Sequence, residues 1–64
     1  MAFFDVTASG WKDETKSALK IYNSIVYAGD EDEARHEFCE EWKEELAEFA
    51  GVIEFSVHEI WRLK

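Results

Sequence analysis

Apolar and polar residues alternate along the first part of the chain. Over residues 2–11, Phe4, Val6 and Ala8 fall on one side and Phe3 falls on the other. An alternation with a period of two is typical of a strand with one buried face. We therefore predict a strand over residues 2–11.

The C-terminal part of the chain shows the same alternation. Glu54, Ser56 and His58 fall on one side of residues 53–63. The other side carries large apolar residues, which are Ile53, Phe55, Val57, Trp61 and Leu63. This pattern predicts a second half-buried strand with its apolar side inward. Glu59 is the one charged residue on that inner side.

A helix is predicted between these two strands. Asp30 is a favourable N-cap residue, and Glu33 follows three positions later, as in a capping box. Apolar residues then recur every three or four positions and form one stripe, made of Ala34, Phe38, Trp42, Leu46 and Phe49. Gly51 is a favourable C-terminal stop. We predict one helix from Asp30 to Gly51.

The segment before this helix fits two structures. Residues 12–16 are polar and are predicted to form a turn. Residues 17–28 contain many β-branched and aromatic side chains, which favour a strand. Some of the same region also fits a helical spacing, through Trp11, Thr15, Ala18, Tyr22 and Ile25. We favour the strand.

Together these elements predict a single α+β domain over residues 1–64. Its strand–helix–strand unit should cross over in the right-handed sense, which makes the last strand parallel to the second and leaves the first between them. The fold class is a three-stranded antiparallel sheet of order 2-1-3 (ββαβ), with one amphipathic acidic helix on one face. The other face, open or paired, is expected to carry Phe3, Thr7, Tyr22, His58 and Ile60.

Charge is unevenly distributed along the chain. Fifteen Asp and Glu against seven Lys and Arg give a net charge of −8. Residues 30–50 contain ten acidic residues against Arg35 and Lys43, so this segment alone carries −8. The remaining charges cancel. Such a chain repels nucleic acid and anionic lipid, so we expect no direct nucleic-acid binding, no membrane binding and a preference for basic partners.

The glutamates of the predicted helix form one row, which we call the acidic ridge. At 100° per residue they lie within an arc of roughly 100°, opposite the apolar stripe, over a length of roughly 22 Å. The members are Glu33, Glu37, Glu40, Glu41, Glu44 and Glu48. Like-charged pairs four residues apart destabilise a helix by roughly 0.2–0.5 kcal/mol each. The ridge is therefore either a binding surface or a solvated, solubilising face.

Candidate chemistry is sparse in this sequence. Glu33 and His36 have the spacing of one half of a di-iron motif, which needs further ligands from other helices. His36 and Cys39 are three residues apart, but no orienting group or oxyanion donor accompanies them. We predict no catalytic residue, no metal and no cofactor. Cys39 has no disulfide partner and no leader-like segment is evident, so a cytoplasmic location is expected.

The overall outline resembles a known class of small phage proteins. A short acidic chain with a hairpin, one glutamate-rich helix and a final strand is similar to the anti-CRISPR proteins, particularly the acidic DNA-mimic inhibitors of type I, including type I-C, interference complexes. The segment 25–34 is also similar to the strand-to-helix junction of other small phage and plasmid proteins. The resemblance implies an inhibitor in the cytoplasm of a bacterial host that occupies the DNA-binding surface of an interference complex.

Two functional hypotheses follow from these observations. In the first, the chain is a stoichiometric inhibitor of a nucleic-acid-binding complex, and the acidic ridge mimics DNA in a basic groove. In the second, it is a small phage or plasmid interaction module that binds a protein through its sheet face, with Tyr22 and Ile60 as contacts and without DNA mimicry. We expect the chain itself to be a monomer or a weak homodimer.

Overall fold

The chain folds into one three-stranded sheet with two short helices on one face. The computed structural model describes residues 1–12 and 19–63. Along the chain the elements are β1 (Ala2–Trp11), β2 (Leu19–Ala28), α1 (Glu31–Glu41), α2 (Lys43–Leu46) and β3 (Ala50–Arg62). Most of the turn predicted over residues 12–16, and the first two residues of 17–28, lie outside the described residues.

The sheet has the predicted topology. The strand order is β2-β1-β3, and β1 is antiparallel to both neighbours. The two outer strands are consequently parallel to each other, as the crossover argument requires. The strand favoured for the ambiguous segment is confirmed, because Leu19–Ala28 pairs with β1 along its whole length.

The core lies between the sheet and α1. The even-numbered side chains of β1, from Ala2 to Ala8, are buried, and so is Phe38 in the middle of α1. Four alanines, Ala2, Ala8, Ala28 and Ala34, are fully buried. Their small side chains allow the first turn of α1 to lie close to the sheet. We call the opposite, uncovered side of the sheet the open face.

The helix is shorter than predicted and is broken. At Trp42 the backbone turns to φ −103° and ψ 19°, and α2 ends at Leu46 rather than at Gly51. The last turn of α1 contains no basic residue, so Glu40 and Glu41 face the negative end of the helix dipole. This arrangement weakens the helix at the position where it breaks.

Gly51 belongs to β3 and does not end the helix. Its φ of 79° lies in the left-handed region, which a residue with a Cβ adopts at a cost. The pairing between β1 and β3 shifts here, because Ser9 pairs with Glu54 while Trp11 pairs with Ala50. The glycine therefore allows β3 to accommodate two extra residues.

A bulge near the end of β3 reverses the predicted orientation of Trp61. Phe4 pairs with Glu59 and Phe3 pairs with Trp61, which leaves Ile60 unpaired. An extra residue of this kind exchanges the faces of all side chains beyond it. The prediction that Trp61 points inward was wrong: its ring lies 6.0 Å from that of Phe3 on the open face.

The prediction that Tyr22 lies on the open face was also wrong. It pairs with Ala8, whose side chain is buried on the helix side. Its ring stacks on Trp42 and Phe49, with centroid distances of 4.9 and 5.7 Å. Tyr22 is therefore a core contact. Phe3 lies on the open face as predicted.

Candidate functional site

The acidic ridge begins at the N-terminus of α1. Asp30 accepts a hydrogen bond from the backbone N–H of Glu33 at 2.8 Å. The Glu33 carboxylate in turn accepts from the backbone N–H of Gly29 at 3.3 Å. The cap by Asp30 predicted from the sequence is thus present, but the Glu33 carboxylate accepts from Gly29, the residue before the cap, rather than from Asp30 as in a capping box. Glu33 both caps the helix and starts the ridge.

All six glutamates of the ridge are exposed to solvent. Four of them lie on α1, Glu44 lies on α2, and Glu48 lies just beyond the end of α2. The break at Trp42 means that the ridge is not one straight row. Each member is nevertheless exposed to solvent, as contact with a partner requires.

One member of the ridge has a cationic partner within the described part of the chain. The Lys12 ammonium lies 3.0 Å from a carboxylate oxygen of Glu48. The hydrogen bond to Glu48 raises the pKa of Lys12, although partial desolvation of the lysine opposes the shift. Since Lys12 follows β1 and Glu48 follows α2, this ion pair depends on the tertiary fold and could not be predicted from helical spacing.

Arg35, two residues after Glu33, contacts an aromatic ring. The Arg35 guanidinium lies 5.5 Å from the centroid of the Phe55 ring, in a cation–π arrangement. Among the described residues, Glu33, Glu37, Glu40, Glu41 and Glu44 have no Lys, Arg or His nitrogen within 4.0 Å. Most of the negative charge of the ridge is therefore uncompensated by the described residues.

The open face carries a second candidate surface. Phe3, Tyr27 and Trp61 form one row across the three strands, with Phe3 4.7 Å from Tyr27 between ring centroids. All three side chains are between 40% and 52% exposed. Of the two sheet-face contacts predicted from the sequence, Ile60 is exposed at the bulge, whereas Tyr22 is on the other face.

Sequence reasoning missed Trp61 as a surface residue, although a signal was present. Glu59 interrupts the inner apolar pattern, and Ile60 and Trp61 then follow as two consecutive apolar residues. A change of phase in the alternation is what a bulge produces. Glu59 itself is exposed and forms an ion pair with Arg62 at 2.6 Å, which raises the pKa of the arginine.

The residues considered for catalysis do not form a site in the described structure. His36 is exposed and Cys39 is half-buried on α1. Within residues 1–12 and 19–63, no three His, Cys, Asp or Glu side chains converge as metal ligands. A recess of about 550 Å³ lies between Trp11, Leu19 and Gly51. Among the described residues that line it, Glu54 is the ionisable one.

Comparisons with known proteins add no relative to this picture. Neither a family model, nor a curated protein, nor a solved structure matches the chain. None of the described helices is long and apolar enough to cross a membrane. The two candidate surfaces therefore have to be interpreted from their own geometry and charge.

Proposed function

We propose that this protein is a stoichiometric inhibitor that docks its acidic ridge into the basic groove of a nucleic-acid-binding protein or complex. The observation that carries the proposal is the uncompensated charge of the ridge. Five exposed glutamates lack a described cationic partner, while Arg35 contacts Phe55 instead. The like-charge repulsion is a cost to the free protein that a basic partner would remove.

The charge density of the ridge suits such a groove. The four ridge glutamates on α1, from Glu33 to Glu41, span roughly 12 Å of helix at 1.5 Å per residue, or about one charge per 4 Å. One strand of duplex DNA carries a charge about every 3.4 Å along the helix axis. Lysine and arginine side chains that contact successive phosphates would therefore meet carboxylates at a comparable interval. Occupancy of the groove by the ridge would exclude nucleic acid.

Capture of the partner at different salt concentrations tests the proposal. The tagged protein should retain a basic nucleic-acid-binding protein from a bacterial lysate at low salt and release it at high salt, because charge pairing is screened. Added duplex DNA should also release the partner. Salt-independent capture would contradict the proposal.

Charge reversal on the ridge gives the decisive comparison. Replacement of Glu37, Glu41 and Glu44 with Lys should abolish capture and inhibition while circular dichroism shows a folded protein. The matched control replaces Glu31, Asp32 and Glu59 with Lys, which changes the net charge equally but lies off the ridge. Full inhibition by the ridge variant, or equal loss in both variants, would exclude the ridge as the binding site.

The narrower proposal comes from the resemblance described above. The partner would be a type I CRISPR interference complex, and the protein would block its binding to target DNA. A gel-shift assay with a purified type I-C complex and its target duplex tests this directly. If DNA binding is unaffected at a molar excess of the protein, the narrower proposal fails, and the lysate experiment still tests the broader one.

A second candidate function is a protein-interaction module that uses the open face. The exposed row of Phe3, Tyr27 and Trp61 favours it, because aromatic side chains are enriched in protein contacts. In that case Tyr27→Ser and Trp61→Ser should abolish capture, and the ridge variant should not. Salt should then have little effect on capture.

A further inference from the structure

The open face exposes a large apolar area. Its side chains come from the odd-numbered residues of β1 and from the residues paired with them on β2 and β3. The exposed apolar members are Phe3, Leu19, Ile21, Ile25, Tyr27 and Trp61, and the exposed Val52 lines the recess beside Trp11 and Leu19. They form two groups, one towards each end of the strands, and exposed apolar groups of this kind mark contact sites.

The residues of this face repeat about a central row. That row crosses the sheet at Thr7, with Asn23 on β2 and Ser56 on β3 as its partners. All three side chains are small or polar. On β1 and β2, residues two or four positions before the central row lie as far from it as residues two or four positions after it.

On β2 the residues on both sides of the central row are apolar. Ile25 on one side corresponds to Ile21 on the other, and Tyr27 corresponds to Leu19. On β1, the aromatic Phe3 corresponds to the aromatic Trp11, at the two ends of the strand. β2 and the two ends of β1 would therefore present apolar residues to an inverted copy, while Asp5 of β1 would face Ser9 nearer the centre.

On β3 the correspondence involves a hydrogen-bond acceptor and a donor, a carboxylate and an imidazole N–H. Glu54 lies two residues before Ser56, and His58 lies two residues after it. In an inverted copy, Glu54 of one chain would face His58 of the other. The same inversion brings Trp61 towards the exposed Val52.

We propose that the open face binds a second copy of this chain, as a face-to-face homodimer. The two-fold axis would lie midway between the two sheets and perpendicular to the strands. It would run parallel to the row of Asn23, Thr7 and Ser56, between the two copies of that row. Such an interface is isologous, so each strand meets its own copy in the opposite direction. Two sheets pack in this way about 10 Å apart, at an angle of roughly 30°.

The available area agrees with a weak dimer. β1 has ten residues, so the sheet is about 34 Å long, and three strands are about 14 Å wide. A flat face of this size has about 480 Å², so two copies would bury about 1,000 Å², at the lower limit of a specific interface. We expect a dissociation constant in the micromolar range.

The polar centre of the face is already hydrogen-bonded within one chain. The Asn23 side-chain amide donates one hydrogen bond to the Asp5 carboxylate. It donates another to Thr7 Oγ1, with a distance of 2.9 Å. Asp5 also lies opposite His58 in the strand pairing. Because these groups have partners, burying them costs less than burying isolated polar groups.

Salt distinguishes this proposal from the proposed function. Each copy carries a net charge of −8, so screening should strengthen the dimer, whereas it should weaken docking of the ridge. The dimer does not require the ridge, and the ridge Lys variant should still self-associate. The two proposals can therefore fail independently.

Sedimentation equilibrium of the purified protein tests for the dimer. The mass should rise from 7.5 kDa towards about twice that value as the concentration increases from about 5 to about 500 µM. Ser56→Lys places two like charges next to the axis and should weaken the association at least tenfold. Ala47→Lys adds the same charge on the helix side and should not. A protein that stays monomeric at the highest concentration overturns the proposal and leaves the face to a different partner.

A charge exchange tests the orientation of the two copies. Glu54→Lys alone should weaken the dimer, because it removes the carboxylate that would accept a hydrogen bond from His58 of the second copy. Addition of His58→Glu should restore it through two lysine–glutamate pairs between chains, with Asp5→Asn present in both variants because Asp5 lies opposite position 58. Within one chain these positions are four residues apart along a strand, about 13 Å, too far for direct pairing. A dimer that forms but shows no rescue, or is insensitive to Ser56→Lys, overturns the face-to-face arrangement.

Discussion

Ser24 and Trp42 connect β2 to the break between the two helices. The indole Nε1–H of Trp42 donates to Ser24 Oγ at 2.9 Å, in a partly buried position. The same indole ring stacks on Tyr22. Trp42 is therefore held against the sheet at the residue where the backbone leaves the helical conformation.

Removal of the acceptor should destabilise the protein. Ser24→Ala leaves the Trp42 N–H without its partner, and we expect a loss of about 1 kcal/mol in the free energy of unfolding. Urea unfolding monitored by tryptophan fluorescence and circular dichroism measures this loss. In a Trp42→Phe background, which has no N–H to satisfy, the same serine substitution should cost much less. An equal cost in both backgrounds would show that the hydrogen bond is not the reason.

The N-cap of α1 should contribute measurably to stability. Asp30→Ala removes the acceptor of the Glu33 N–H and should cost about 1 kcal/mol of unfolding free energy. Asp32→Ala is the control, since Asp32 is exposed in the first turn and accepts no cap hydrogen bond in the described structure. Its loss should be limited to the interaction with the helix dipole, about 0.3–1 kcal/mol. Thermal unfolding of both variants, followed by circular dichroism, provides the comparison.

Gly10 should not tolerate a side chain. A Cβ at this position would lie 3.0 Å from Cδ2 of Phe49, and the Phe49 ring is held by its stacking on Tyr22. Gly10→Ala should therefore destabilise the protein by about 1–3 kcal/mol, as overpacking does. At Gly29 the nearest atom to a new Cβ is a carboxylate oxygen of Glu33, also at 3.0 Å, which is the end of a flexible side chain. Gly29→Ala should be much less harmful, and similar losses in both variants would contradict the packing argument.

Neutralisation of one ridge residue should stabilise the protein. Glu37 lies four residues from both Glu33 and Glu41 within α1, so Glu37→Gln removes two repulsive pairs and should add about 0.4–1 kcal/mol at low salt. The gain should shrink as salt is added. Glu54→Gln on β3 is the control and should show no such gain. A salt-independent gain at Glu37 would mean that repulsion within the ridge is not its cause.

Local pattern was sufficient for most of the architecture. Strict alternation in Ala2–Trp11 identified β1 and its buried side, and Asp30 with Glu33 identified the start of the helix. The strand order followed from short connections and the preferred handedness of crossovers. The exposure of the ridge followed from helical periodicity, because its glutamates lie opposite the stripe that includes Phe38.

The arrangement of the candidate surfaces was decided by contacts between distant parts of the chain. Trp61 lies on the open face because β3 gains one residue relative to β1 at Ile60, and Tyr22 lies in the core because its position is in register with Ala8. Arg35 turns towards Phe55 on another strand. The sequence by itself determined the strands, the start of the helix and which helix surface is charged, since these depend on neighbours within a few residues, but it did not determine where the helix breaks and ends. Only the tertiary structure decided which aromatics reach the open face, because one residue of register between two strands exchanges the faces of every side chain beyond it.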